Sequence, residues 1–400
     1  MQRREFIRLT TTGSAALLVP NLLTGCGTGA SGAYDGWEGH PTNETDPRLA
    51  ALAYAVLAPN PHNKQPWMVE LDAGSALLLY VDPNRLLPET DPPYRRIHIG
   101  QGTFIENLDL AARRMGYRTV IDWFPQGTYA NTVLERKPVA RIELLADTTV
   151  EDDPLFDAIL ERRSNKRAYD GTPLALEAID ALEATCKGNL SCSLTVTDEP
   201  NILETLRDIM REAMQIEVGD PARDAETLAM FRFGEDEVEH HRDGFGVANA
   251  GVTGLKRWVA ETFFLSREAA ERDPTAFGAQ AVDLTTEQSA SASAFGWLVT
   301  ASNTRLDQVL AGRAYERLNL AATTMGVAMH PLSQVLQEYP DMAALQQHFK
   351  AVIGVPEAHT VQMLFRLGHA RPTPHTARRA LSDFVVYAAF AVSDPQESRG

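Results

Sequence analysis

The sequence predicts an α+β protein made of two fused lobes that imitate a homodimer within one chain. Three observations predict it. Helix-like and strand-like segments are mixed without a steady strand–helix–strand alternation, which is the α+β pattern. The 400 residues exceed what one small domain needs. Finally, Gly102-Thr-Phe-Ile-Glu-Asn-Leu-Asp-Leu-Ala-Ala-Arg-Arg-Met-Gly116 recurs as Gly312-Arg-Ala-Tyr-Glu-Arg-Leu-Asn-Leu-Ala-Ala-Thr-Thr-Met-Gly326. The two stretches are identical at eight of fifteen positions, at an offset of 210, where chance gives about one.

The first 26 residues form an address. Arg3-Arg4-Glu5-Phe6-Ile7-Arg8 precedes an uncharged run, Leu9 to Thr24. A basic start, an apolar middle and a small-residue end make an export signal, and the paired arginines resemble the twin-arginine type. Leu23-Thr24-Gly25-Cys26 resembles a lipobox, with Cys26 the lipidated new N-terminus. The expectation is a protein handled by the twin-arginine export machinery. It would be periplasmic or on the cell surface, and held to the membrane only through the lipid on Cys26. The apolar run is too short and too interrupted, by Pro20 and Asn21, for a stable span. Residues 27–45 are expected to be a flexible small-residue tether.

Lobe 1 is placed at 46–148 and lobe 2 at 149–390. In lobe 1 a helix covers Pro47–Leu57, and strands cover Trp67–Asp72 and Leu77–Val81. The repeat helix then ends at Gly116, placed as a C-cap, with a strand-like run from Tyr117 to Phe124 and a strand at Val139–Leu145. In lobe 2 helices are expected at Asp153–Arg162, Leu176–Cys186 and Asn201–Glu217, and strands at Ser193–Val196 and Val361–Leu367. The second repeat helix ends at Gly326. Matching Pro47 to Leu174 gives an offset of 127 against 210 for the repeat, so lobe 2 holds about 83 extra residues. They are placed at about 218–300, a polar and then aromatic stretch expected to act as a lid.

Composition narrows the function. Against 37 lysines and arginines stand 53 aspartates and glutamates, a net charge of −16. Removing the signal takes away Arg3, Arg4, Arg8 and Glu5, leaving 34 basic and 52 acidic residues and a charge of −18. Such a surface repels phosphate backbones, so no nucleic acid is expected as a partner. Cys186 and Cys192 could form a disulfide in an exported protein. No metal site is expected. Adjacent His240 and His241 lack the spacing of a ligand pair and read as a solvated face.

Three segments carry chemistry. Ala58-Pro59-Asn60-Pro61-His62-Asn63-Lys64-Gln65-Pro66-Trp67 is a proline-stiffened loop. Its amides at Asn60, Asn63 and Gln65 suit the polar edge of a flat heterocycle, or else cap the turn itself. Arg162-Arg163-Ser164-Asn165-Lys166-Arg167 places four cations in six residues of an acidic protein. That is an anion site or a solvated helix end. Arg378-Arg379 is a late basic pair that meets the same anion or sits in water. Arg162 and Arg379 are expected near the surface.

Together the Ala-Pro-x-x-x-Asn-x-Gln-Pro-Trp loop, Arg162-x-Ser164-x-Lys166 and the late pair resemble the FMN-dependent nitroreductase family. Leu364 to Ala370 is similar to that family's closing strand. The resemblance covers about 46–386 and is nearest to the duplicated, Acg-like branch. It implies FMN as cofactor and hydride transfer through flavin N5, with a small-molecule electron donor and acceptor as partners. It also implies that no protein residue acts as a covalent catalyst. Arg162, Ser164 and Lys166 would hold phosphate-side and pyrimidine-side oxygens, within a segment that also offers Arg163 and Arg167. Arg378 or Arg379 would close on the phosphate. Pro59, Asn60, Pro61 and Asn63, with Gln65 in the same loop, would approach the ring. The Met329–Leu332 loop, including Pro331 and Leu332, lies where the family offers a backbone N–H to N5. The loop occurs only in lobe 1 and the basic segments only in lobe 2, so one complete site and one defunct site are expected. Asn60 stands in place of the family's usual serine, and one extra residue precedes Tyr169, leaving Lys166 and Arg167 as alternatives. The rival expectation is an exported lipoprotein that holds flavin or senses redox state without turnover.

Overall fold

The computed structural model describes residues 32–39, 44–186, 192–252 and 266–387. The proposed signal, Cys26 and residues 27–31 and 40–43 of the proposed tether lie outside them. The first half runs α1 (Pro47–Ala55), β1 (Trp67–Leu71), β2 (Ala76–Val81), α2 (Arg95–Arg114), β3 (Tyr117–Trp123) and β4 (Ala140–Ala146). The second begins with α3 (Leu176–Ala184) and β5 (Cys192–Thr197). Among the described residues five α-helices follow: α4 (Pro200–Gly219), α5 (Pro221–Met230), α6 (Glu235–His241), α7 (Arg267–Arg272) and α8 (Pro274–Ala290). Then come β6 (Ala294–Thr300), α9 (Arg305–Thr324), β7 (Ala328–Pro331), α10 (Ala343–Val352), β8 (Thr360–Gly368) and β9 (Val385–Tyr387).

The duplication is visible in the topology. One sheet has the order β3-β4-β2-β1, and the other has the matching order β7-β8-β6-β5. The corresponding neighbours are antiparallel in both. Helices α2 and α9 begin and end at the same offset of 210 that the repeat shows. Each stops where a glycine turns left-handed, Gly116 at φ 80° and Gly326 at φ 67°.

The two repeat helices pack on each other about a local two-fold relation. A Cβ on Gly102 would stand 1.9 Å from the carbonyl of Val309, and one on Gly312 would stand 2.0 Å from the carbonyl of Ile99. Ile99 and Val309 are themselves related by the repeat offset. Buried charge locks the crossing. Glu106 accepts from Arg313 at 2.6 Å and Arg317 at 2.8 Å. Each helix also sends a buried arginine into the opposite half. Arg95 donates to the carbonyl of Gln362 at 3.1 Å, and Arg305 to that of Val133 at 2.7 Å. Val309 and Leu320 of α9 enter the first half's core, and Ile99 of α2 enters the second's. The chain is therefore a two-lobed α+β pseudo-dimer.

Several boundaries differ from the sequence expectations. Asp153–Arg162 is a short 3-10 turn, Pro154–Ala158, capped by Asp153. A hydrogen-bonded turn carries the chain on, with the N–H of Arg162 donating to the carbonyl of Ala158 at 2.9 Å, and Ser164 then bridges Met329 of β7. Helices α2 and α9 each start seven residues before the repeat does; in α2, Gly100 and Gly102 beside Arg95, Arg96 and His98 mask the helical pattern. The excursion occupies the whole β5–β6 connection, residues 198–293, where the first half has the four-residue link 72–75. Residues 294–300 are instead the fully buried strand β6. Leu206, Ile209 and Met210 of α4 belong to the core cluster beneath β6 and β8. The last strand, β9, leaves the second half and pairs parallel with β1 of the first. Ordered structure begins earlier than the tether reading allows. Ala33 is buried and its carbonyl accepts from the backbone N–H of Arg378 at 2.8 Å. Cys186 and Cys192 are free thiols. No helix among the described residues is long and apolar enough to cross a membrane.

Candidate functional site

Between the halves lies a cavity of about 410 Å³. Its walls come from the α1–β1 loop, the segment before α3, the end of β7, the C-terminal tail, the start of α2 and the excursion. Of the residues singled out in the sequence, Pro59, Asn60, Pro61, Asn63, Arg162, Arg163, Ser164, Lys166, Pro331, Leu332 and Arg378 line it. Gln65, Arg167 and Arg379 do not line it.

The α1–β1 loop is held in a costly shape. His62, Asn63 and Gln65 have φ of 50°, 52° and 52°, a region that non-glycine residues enter only when their surroundings force it. The amides supply that force. Asn60 Oδ1 accepts from the backbone N–H of Gln65 at 2.6 Å, and its Nδ2 donates to Ala58 at 3.1 Å. Asn63 Nδ2 donates to the carbonyls of Gly244 and Ala377 at 3.1 and 3.0 Å, while its Oδ1 accepts from Arg378 at 2.9 Å. Gln65 donates to the carbonyl of Arg242 at 2.7 Å and accepts from the N–H of Arg379 at 2.8 Å. These amides thus clamp the loop to the tail and the excursion, as in the turn-capping alternative, and the loop presents its prolines and backbone to the cavity.

One end of the cavity is cationic. Arg162 and Arg378, both buried, each donate to the carbonyl of Leu57 at 3.0 Å. Neither lies near the surface, and Arg379 is buried as well. Nε and Nη1 of Arg162, Nε of Arg378 and Nε of Arg163 are buried without a hydrogen-bond partner. The buried carboxylate beside Arg162 is Glu316, whose Oε1 is 3.6 Å from Arg162 Nε, while Arg163 reaches the exposed Glu161 carboxylate at 3.4 Å. Burial pushes the Glu316 carboxyl up to about 7 against the pull of Arg162. Burial, then the neighbouring Arg162, hold the Arg378 guanidinium well below its ordinary value. His375 stacks on Trp37 at 3.9 Å, and burial, then Arg163, push its imidazole down to about 3. Arg378 also lies 4.8 Å over the Trp37 ring.

Farther along, the Lys166 ammonium of a half-buried side chain sits 3.9 Å over the ring of Phe245, and desolvation pushes it down to about 8. Arg167 turns the other way: a Cβ on Gly251 would meet its Nη1 at 2.5 Å. Arg379 faces the first sheet, donating to the carbonyls of Gln65 and Trp67 at 3.0 and 3.1 Å. The backbone N–H of Leu332 is taken by the carbonyl of Leu364 at 3.0 Å, and Pro331 has none. Neither can offer a backbone donor to a ligand.

Sequence reasoning missed several lining residues. Trp37 lay in the presumed tether, although a tryptophan amid small residues is itself a packing signal. Arg96, Tyr315 and His375 carried no motif. The aromatic content of the excursion was a usable signal, and Phe231, Phe233 and Phe245 do line the cavity. Among the described residues no group of three His, Cys, Asp or Glu could hold a metal.

The chain is similar to several known proteins. "Putative NAD(P)H nitroreductase Rv3131" of Mycobacterium tuberculosis is 26% identical over 343 residues, covering 84% of this chain and 89% of the relative. "Putative NAD(P)H nitroreductase acg" of the same species is 26% identical over 351 residues, covering 85% and 95%. A solved nitroreductase with bound FMN from Bacteroides fragilis aligns with a TM-score of 0.32 and 15% identity, over 56% of this chain and 94% of its own. The profile of the nitroreductase family matches residues 159–369, more than half of the sequence and all of the strands of the second sheet; the chain belongs to the nitroreductase family.

Proposed function

We propose that the chain is an FMN-binding oxidoreductase of nitroreductase type, with one FMN held between its halves. The observation that carries this is the convergence of Arg162 and Arg378 on one carbonyl, with buried N–H groups left over. Unpaired buried donors cost about 1–3 kcal/mol each and are kept where a ligand completes them. A phosphate matches them in charge and in hydrogen-bond geometry. The cavity volume is in the usual range for small-molecule sites.

FMN would supply hydride transfer through N5, and the chain would supply placement and electrostatics. Arg162, Arg163 and Arg378 would hold the phosphate. Lys166 would serve the pyrimidine edge, where an ammonium would offset negative charge on the ring. The α1–β1 loop, locked by Asn60 and Asn63, forms a rigid wall from the first half. The phenylalanines of the excursion exclude water from the other side. The small-molecule donor and acceptor reach the site from that side. The visible spectrum of the purified protein tests the reading: oxidised flavin bands are expected, and heating is expected to release FMN. A colourless protein that takes up no added FMN overturns it.

A second reading, a flavin holder without turnover, is favoured by the closeness of the excursion. Phe245 packs 5.5 Å from the His62 ring as well as on Lys166. We expect slow bleaching by NADPH, which must stack on the ring, and normal bleaching by dithionite, which need not. Phe245→Ala is expected to speed the NADPH reaction. Rapid bleaching of the intact protein by NADPH removes the holder reading. Export by the twin-arginine route and lipidation at Cys26 complete the proposal. A Cys26→Ala variant released from the membrane fraction would support the anchor, and one still bound to it would refute it.

A further inference from the structure

The end of the cavity away from Arg162 and Arg378 has a chemistry of its own. Glu217, near the end of α4, and Asp224, on α5, are each only 6% exposed. Oε2 of Glu217 and Oδ1 of Asp224 have no hydrogen-bond partner, and neither do Thr227 Oγ1 on α5 or Nε and Nη2 of Arg96 on α2. All four residues line the cavity. Burial raises both carboxyl groups above their ordinary range, and Arg96 is the charge that most opposes the shift at Glu217. Yet Arg96 forms no ion pair with either carboxylate among the described residues. The same region carries a chain of aromatic rings. Phe231 is 4.7 Å from Phe233, 5.7 Å from Phe277 and 5.8 Å from Phe245.

Four unpaired polar groups from three helices, set against phenylalanine rings, are not a packing solution. A structural cluster would have closed Arg96 onto Glu217. Two guanidiniums face Glu217, those of Arg96 and Arg223, and Arg223 is committed to Asp341 at 2.8 Å, so among the described residues two carboxylates share one uncommitted guanidinium and one negative charge is left without a counterpart. A neutral or anionic ligand would leave it so, in a site too dry to solvate it. A cationic group on a flat apolar body answers both features, through charge and through the ring faces.

We infer that this end of the cavity is the substrate subsite and takes an amine-bearing aromatic compound. The ammonium lies between Glu217 and Asp224, the ring lies against Phe231 and Phe233, and Arg96 donates to an acceptor oxygen of the same compound. The assignment rests on the flavin reading of the opposite end. It differs from a nitroreductase site open to any nitroaromatic, because here the charge of the substituent decides binding.

The test is calorimetric titration of the purified full chain with tyramine, with 4-ethylphenol, which lacks the amine, and with 3-(4-hydroxyphenyl)propanoate, which carries the opposite charge. Flavin content is measured on the same sample. Tyramine is expected to bind at least tenfold more tightly than 4-ethylphenol, with the propanoate weakest. The preference is expected to collapse in Glu217→Gln/Asp224→Asn while flavin content stays unchanged. Glu217→Gln alone serves if the double variant does not fold, with a smaller collapse expected. Equal binding of tyramine and 4-ethylphenol, a preference that survives the substitutions, or no binding of any probe by flavin-loaded protein overturns the inference. Absent flavin is a separate result that overturns the reading of the opposite end, since the heat of tyramine binding does not depend on a flavin signal.

Discussion

Arg163 is the arginine of the cationic end that can be removed with least damage, because it is partly exposed and its guanidinium bonds to Glu161 of its own turn. Arg163→Ala is expected to weaken FMN binding by about 1.5–3 kcal/mol, the scale of a charged hydrogen bond, with the fold intact. Arg379→Ala should do the reverse. It leaves flavin affinity alone and lowers the unfolding midpoint, because the carbonyls of Gln65 and Trp67 lose their donor. Paired flavin titrations and melts check the contrast, and an Arg379→Ala variant that loses flavin while melting normally would overturn it. Glu316 sets a pH dependence. Its carboxyl ionises near 7 when buried, above its unfolded value. By itself it therefore favours the folded state fully below the unfolded value, and that contribution is lost as pH rises through about 7. Its negative charge also opposes a phosphate seated on Arg162 and Arg378. The phosphate's own second ionisation, near about 6, works the other way. FMN affinity is therefore expected to rise through the phosphate ionisation and fall above neutrality. In Glu316→Gln only the fall should vanish, and an unchanged fall removes Glu316 from the site.

At the scale of elements, the α2–α9 crossing depends on two glycines. A methyl group on either would overlap a backbone carbonyl of the partner helix, and a carbonyl in a helix cannot rotate away. Overpacking of this kind costs typically about 1–3 kcal/mol and here should lie at the upper end or beyond. Gly102→Ala and Gly312→Ala are both expected to destabilise in denaturant titrations, by similar amounts because the two contacts mirror each other. A neutral result at either position would overturn the close crossing. Trimming the excursion is a poorer experiment than its name suggests. Helix α4 supplies Leu206, Ile209 and Met210 to the core under β6, so a deletion of the whole connection would strip that core along with the cavity wall.

For the whole molecule, duplication followed by divergence leaves one cationic end. The tail that carries Arg378 exists once, and it crosses from the second half to place β9 beside β1. The segment Arg162–Lys166 also exists once and reaches the cavity through its bridge to β7. One FMN per polypeptide is therefore expected from heat release, with no adenine-containing flavin. A ratio near two would require a second phosphate site that no tail can complete, and would overturn the single-site reading.

The sequence by itself determined the pseudo-dimer, because fifteen residues repeated at one offset place two copies of a helix in one chain; that the two helices cross at Gly102 and Gly312 came from the tertiary structure. It also singled out three segments, because cations clustered in an acidic chain, and prolines crowded into one loop, are local features; that the three meet was implied by the family resemblance, not by those features. Strands such as β1 and β4 were legible from alternation within a residue or so. Tertiary structure alone decided which member of each basic pair faces the cavity. Lys166 and Arg167, like Arg378 and Arg379, are neighbours in non-helical chain, where successive side chains point to different sides, and only the packed surroundings say which side is which. It also decided that Asn60 and Asn63 spend their amides on the loop, and that Trp37 returns from the N-terminal segment to stack on His375. And it alone brought Arg96, Glu217 and Asp224 to one wall, since groups far apart in sequence share a site only through the fold that buries them together.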